Sequence, residues 1–234
     1  MKKIAFSDRY GLTQAVVDLI KTNTRRLEKS LDILPLEYNP LLTEFQFEYK
    51  DGIIIGRRLF KGFHVETYHL KPRYKIGEVV AVAQRYKDID ERGIVGFKDG
   101  SDIQPGMVSP IFAEQSAGWT NKMFVRADLM PHRIRITDIK VERLQDISEE
   151  DCMKEGVEKW IDCYIVSGIM ESQGKNNVCF EIPHAAFAAL IDRISGRGTW
   201  ERNPWVYAYS FELVKEEDNE TNNNFIRQNQ PHCF

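Results

Sequence analysis

Arg133-Ile134-Arg135-Ile136-Thr137-Asp138-Ile139-Lys140-Val141-Glu142-Arg143-Leu144 is followed, after three residues, by Ser148-Glu149-Glu150-Asp151-Cys152-Met153-Lys154-Glu155-Gly156. In the first stretch Ile134 and Ile136, then Ile139 and Val141, alternate with polar neighbours, which is the period of a strand with one buried face. The change of phase at Thr137-Asp138 predicts a bulge or bend within that strand. In the second stretch Ser148, with Asp151 three residues on, has the form of a capping box, and Gly156 supplies a left-handed stop. Together they enclose a helix of about two turns with Glu155 in its last turn. A carboxylate at that end opposes the helix dipole by roughly 0.3 to 1 kcal/mol, so Glu155 is mildly out of place on stability grounds.

Working outward toward the C-terminus, Phe187, Leu190, Ile191 and Ile194 recur at helical spacing up to Ser195-Gly196 and predict a second core helix. Trp205, Tyr207, Tyr209, Phe211 and Leu213 then alternate through a final strand whose large aromatic face reads as core packing before base stacking. A further strand is possible over 178–182. Toward the N-terminus Leu12, Ala15, Val16, Leu19 and Ile20 predict an amphipathic helix over about 12–22 that frays at Thr22-Asn23-Thr24, so that Lys21 and Thr24 project from one side. From Leu27 to Pro72 the pattern is irregular, except that Phe45, Phe47 and Tyr49, the Asp51-Gly52 turn and Ile53-Ile54-Ile55 predict a hairpin laid over the core. Val79 to Ala83 is a short apolar strand, and residues 90–110 read as loops.

The chain has 234 residues, of which 42% are hydrophobic, enough for a single-core α+β protein. No apolar run reaches the ~18 residues of a membrane span, and the start Met1-Lys2-Lys3-Ile4-Ala5-Phe6-Ser7 turns polar too soon for a signal peptide. A cytoplasmic location without membrane partners is the expectation. Cys152, Cys163, Cys179 and Cys233 form no CxxC pair and are expected as reduced thiols, and the five histidines are scattered, so no metal site is expected. Neither GxGxxG nor GxxxxGK[ST] occurs, and no cofactor is expected. With 32 basic and 35 acidic residues the net charge is −3, so any nucleic-acid contact is local rather than a field of the whole molecule. Beyond Lys215 the polar, Asn-rich segment 215–234 is expected to be a disordered tail.

A lysine, a hydroxyl and a carboxylate in contact can hydrolyse an amide: a lysine whose pKa burial lowers takes the threonine proton, and a glutamic acid returns one to the leaving nitrogen. Lys21, Thr24 and Glu155 supply those residue types, although composition and spacing alone do not single them out. Arg25, Arg26 and Arg133 are candidates for phosphate oxygens, and Trp119 for stacking on an unpaired base or for capping the core.

The segment Lys21-Thr22-Asn23-Thr24-Arg25-Arg26 resembles the K-T-x-T-x-R signature of the ASCH family, a branch of the PUA-like β-barrels. The similarity continues through Pro72 to Val80, through Met130-Pro131-His132-Arg133-Ile134, most densely through Ile136 to Ser148 with Glu155-Gly156, and through Asn203-Pro204-Trp205-Val206-Tyr207, in the manner of the larger phage and prophage ASCH-type proteins. The resemblance implies one domain over 1–214, a small PUA-like barrel with flanking helices, interrupted by insertions near 27–70 and 90–120. It implies a cleft that accepts RNA or a modified nucleoside. Some small members of the family are amidohydrolases that deacetylate acetylcytidine, and their lysine, threonine and glutamate fall on Lys21, Thr24 and Glu155. Three functions follow: a module binding RNA or a modified nucleoside, an acetylcytidine amidohydrolase, and a phage accessory module that binds another protein through its insertions. For Lys21 and Glu155 a phosphate contact with its structural ion-pair partner stands beside the catalytic role.

Overall fold

A computed structural model describes residues 1–89, 114–170 and 178–214. The expected loops of 90–110 and the expected tail lie wholly outside the described residues. The fold is mixed α+β, and its described residues divide into two compact units, one drawn from Met1–Ala5, Val79–Arg135 and Glu212–Phe234, the other from Phe6–Glu78 and Ile136–Phe211.

In the first unit β1 (Lys3–Ile4) runs parallel to β6 (Val79–Val82), with Lys3 beside Ala81, and β6 pairs antiparallel with the start of β7 (Arg133–Arg143), Val80 opposite Ile134. Ala81, Ala83, Tyr86, Ile89, Val125 and Met130 form its apolar core, to which the short helix α2 (Tyr86–Ile89) contributes two members. Trp119 is half-buried against that cluster.

In the second unit the remainder of β7 lies beside β10 (Trp205–Leu213), and β10 pairs antiparallel with β2 (Asn23–Arg26), Tyr209 opposite Thr24. Flanked on both sides, β10 is buried on both faces from Trp205 to Tyr209. In β7 burial falls on Ile134 and Ile136 and then on Ile139 and Val141, the change of phase read from the sequence. Helix α1 spans only Leu12–Val17, where 12–22 was expected. Leu19 adopts φ +62° and the amides of Ile20 and Lys21 both return to the Ala15 carbonyl, so the chain turns before Lys21. Lys21–Arg26 is therefore a turn and a strand rather than a helix end, because β10 offers Thr24 and Arg25 a ladder that no local pattern announces.

The expected hairpin proves to be a three-stranded sheet of β3 (Thr43–Lys50), β4 (Ile53–Phe60) and β5 (Phe63–Leu70). Its third strand is exposed through its first five residues, which is why it lacks an apolar alternation. These strands pair with one another and leave β2 an edge, so among the described residues no sheet closes into the expected barrel. Helix α3 (Glu149–Lys154) begins at Ser148, whose Oγ accepts from the Asp151 amide, and α4 (Pro183–Ser195) packs against it. The hairpin β8 (Glu158–Trp160) and β9 (Cys163–Ile165) was not read from the sequence, and the possible strand at 178–182 reduces to a bridge between Phe180 and Tyr164. A further short helix, α5 (Thr199–Arg202), precedes β10. No helix among the described residues is long and apolar enough to cross a membrane.

The expectation of four reduced thiols is corrected at one pair. Cys163 and Cys179 form a disulfide, their Cα atoms 5.6 Å apart, because the Tyr164–Phe180 bridge sets their backbones side by side. Cys152 is buried, and desolvation pushes its thiol up to about 12, so it is unreactive at neutral pH. Alkylation of the unfolded protein without reductant, read by peptide mass mapping, is expected to leave Cys163 and Cys179 linked and to modify Cys152; modification of Cys163 without reductant would contradict this.

Candidate ionic site around Glu155

The site starts at the end of α3. Glu155 is the C-cap residue, followed by Gly156 at φ +100°. The carbonyls that this end exposes meet the Lys21–Thr22 segment: the Thr22 amide donates to the Lys154 carbonyl at 3.0 Å, and Lys21 Nζ donates to the Glu155 carbonyl at 2.9 Å. The same ammonium donates to Glu155 Oε2 at 2.5 Å. A carboxylate that would oppose the helix dipole is thus accompanied by a cation that both caps the helix and pairs with the carboxylate.

Along β2 side chains alternate, so Asn23 and Arg25 face one way and Thr24 and Arg26 the other. Arg25 meets three carboxylates. Its Nε donates to Glu142 Oε1 at 2.7 Å, one terminal nitrogen to Asp151 Oδ2 at 2.9 Å and the other to Glu155 Oε1 at 3.3 Å. Glu155 therefore divides its two oxygens between Lys21 and Arg25. Lys21 is 2%, Glu155 4% and Arg25 5% exposed, so these charges have left bulk water and depend on one another. Burial lowers the Lys21 pKa, and the adjacent Glu155 only partly offsets that shift.

Thr24 is also buried, and no hydrogen bond joins its hydroxyl to Lys21 or Glu155. The ring of Phe6 has two cations near it, Lys21 Nζ 5.8 Å and the Arg26 guanidinium 5.3 Å from its centroid. Beyond Arg26, Glu28 Oε1 accepts from the Tyr209 hydroxyl at 2.7 Å and Oε2 from the Arg73 amide at 3.0 Å, while Tyr74 meets Tyr209 edge to face. Burial is the main cause that raises the Glu28 and Tyr209 pKa values.

Of the residues singled out in the sequence, Lys21, Thr24, Arg25, Arg26 and Glu155 lie in one unit, and Lys21, Arg25 and Glu155 are in direct contact. Trp119 and Arg133 belong to the other unit, Arg133 opposite Ala81 in the β6–β7 pair. Sequence reasoning did not find Glu142, Phe6 or Glu28, and gave Asp151 only a helix-start role. Among the described residues no group of His, Cys, Asp or Glu is arranged to hold a metal ion. No protein-family model, curated protein or solved structure matches the chain.

Asp151 gives the site a pH signature. Burial acts to raise its pKa, but Arg25 and Lys154 outweigh that and hold it below the ordinary 3.8. A carboxylate depressed in the folded state adds stability that is fully present above its unfolded value and is lost as pH falls through the folded value. Stability is therefore expected to fall on acidification below about pH 4, and less steeply in Asp151→Asn. Urea unfolding across an acidic pH series checks this, and identical slopes for both proteins would contradict it.

Proposed function

We propose that this chain is an ASCH-type, PUA-like module that binds RNA or a modified nucleoside at the Lys21–Arg26 strand and Glu155. The observation that carries the reading is the division of labour along β2. Arg25 is engaged by Glu142, Asp151 and Glu155, which fixes the strand, while Thr24 and Arg26 face the other way with Lys21 and the Phe6 ring close by. A fixed strand that carries the partly buried Arg26 guanidinium, with the buried Thr24 and Phe6 packed beside it, suits a phosphate of unpaired RNA. In this reading Arg25 positions and Arg26 contacts. RNA as ligand implies work in the cytoplasm, where the Cys163–Cys179 disulfide would meet reducing thiols.

One observation favours a second reading, deacetylation of acetylcytidine. Burial lowers the pKa of Lys21, three residues before Thr24, and a lysine of lowered pKa is the base such a threonine nucleophile needs. For turnover Lys21 would exchange its bond to Glu155 for one to Thr24.

Anisotropy titrations with a short single-stranded RNA between about 50 and about 200 mM salt separate the readings. Binding is expected to weaken with salt, and Arg26→Ala to make the log–log slope shallower by about 0.7. An unchanged slope, or no binding by folded protein, would overturn the RNA reading. Cytidine released from acetylcytidine by the parent protein but not by Thr24→Ala would establish the second.

A further inference from the structure

The face of β2 turned away from Arg26 borders a second polar region, to which three neighbouring strands bring side chains. Asn23 shares that face with Arg25, and Ser210 of β10 stands opposite Asn23 in the ladder. On β7, next beyond β10, Lys140 lies two residues before Glu142, a partner of Arg25, and so shares its face. A cavity of about 270 Å³ opens over this floor, walled by Thr22 and by Asp151 and Lys154 of α3. All of these residues belong to one compact unit.

The polar lining divides by which side chains already have partners. Asp151 Oδ2 accepts from Arg25 at 2.9 Å, and Lys154 Nζ pairs with Glu150 at 2.5 Å and with Asp151 Oδ1 at 3.5 Å. The side chains of Thr22, Asn23, Lys140 and Ser210 make no hydrogen bond or ion pair among the described residues. Asn23 is the telling one of the four. It is only 8% exposed, and a buried amide is destabilising without a partner, so it bonds with what enters the cavity.

All four of these side chains can donate, whereas Lys140, an ammonium, cannot accept. Lys140 also carries a charge that no described residue balances, while the charge of Asp151 is matched by Arg25 and Lys154 at its two oxygens. An occupant with a negative charge and several acceptor oxygens therefore satisfies all four groups at once. A cation, or a group that only donates, would be repelled by Lys140 and leave it without a partner.

We propose that this cavity binds a phosphate group, as inorganic phosphate or as the monoester of a small molecule. It lies across β2 from Arg26 and does not rest on the RNA-binding reading above.

An NMR titration of the isotope-labelled full chain with inorganic phosphate, and then with a pentose phosphate, follows the Asn23 side-chain amide, with chloride at matched ionic strength as the control. A saturable shift of that amide is expected with phosphate and not with chloride. Lys140 is exposed, so Lys140→Gln removes no buried contact, and it is expected to weaken binding about tenfold. Asn23→Asp exchanges the donors for acceptors at nearly the same volume and is expected to abolish binding. Lys159→Gln, at an exposed lysine of β8, and Arg26→Ala are both expected to leave it unchanged. Tighter binding of the pentose phosphate than of inorganic phosphate would identify a monoester as the ligand, and equal or weaker binding the free ion; either result keeps the site. No saturable shift, equal losses in Lys159→Gln and Lys140→Gln, or binding that survives Lys140→Gln would overturn the proposal. In the last case loss in Arg26→Ala would put the phosphate on the other face of β2 and support the RNA reading instead.

Discussion

The carboxylate of Glu155 is shared between Lys21 and Arg25, residues 134 and 130 positions away in the chain, and nearly all three side chains are out of water. A buried charge without a partner is too costly to keep, so each of these groups constrains where the others lie. Lys21 can reach Glu155 only if the chain turns after α1, which it does at Leu19. Arg25 can reach Glu155, Asp151 and Glu142 only if β2 lies against the end of α3 and reaches across β10 to β7, the strand that carries Glu142. The network thus sets the register of β2 relative to α3, and the orientation of Thr24 and Arg26 follows from it.

The same contacts resolve the oddity of a glutamate at a helix C-terminus. Its charge is unfavourable to the dipole taken alone, but Lys21 bonds both its carboxylate and its main-chain carbonyl, so the helix end is capped by a cation. Desolvation lowers the Lys21 pKa even so. This makes the site ambivalent in a physically definite way: the arrangement that fixes the strand also holds a lysine whose proton is less tightly bound than usual.

Legibility in the sequence tracked the range of the interactions involved. The β7 alternation with its phase break, the Ser148 cap and the Phe187–Ile194 stripe are encoded within a few residues, and each element formed where it was read. The end of α1 was misplaced because Leu19 and Ile20 continue an apolar stripe although the backbone turns there and both are exposed. β2 was missed because its strand character comes from β10, and β5 because its first half faces solvent. At the site, Lys21 and Glu155 were paired through resemblance. The role of Arg25 was not readable, since Glu142 and Asp151 lie 117 and 126 residues from it and carry no local mark.

The account rests on Lys21 and Glu155 acting as a coupled pair, and urea unfolding of Lys21→Met, Glu155→Leu and the double variant measures that directly. Each single change is expected to cost about 3 to 5 kcal/mol, because it strands a buried charge. The double variant should be more stable than the sum of the two costs implies by at least about 1.5 kcal/mol, the mark of residues in contact. Small, strictly additive costs would show that the pair does not hold β2 to α3.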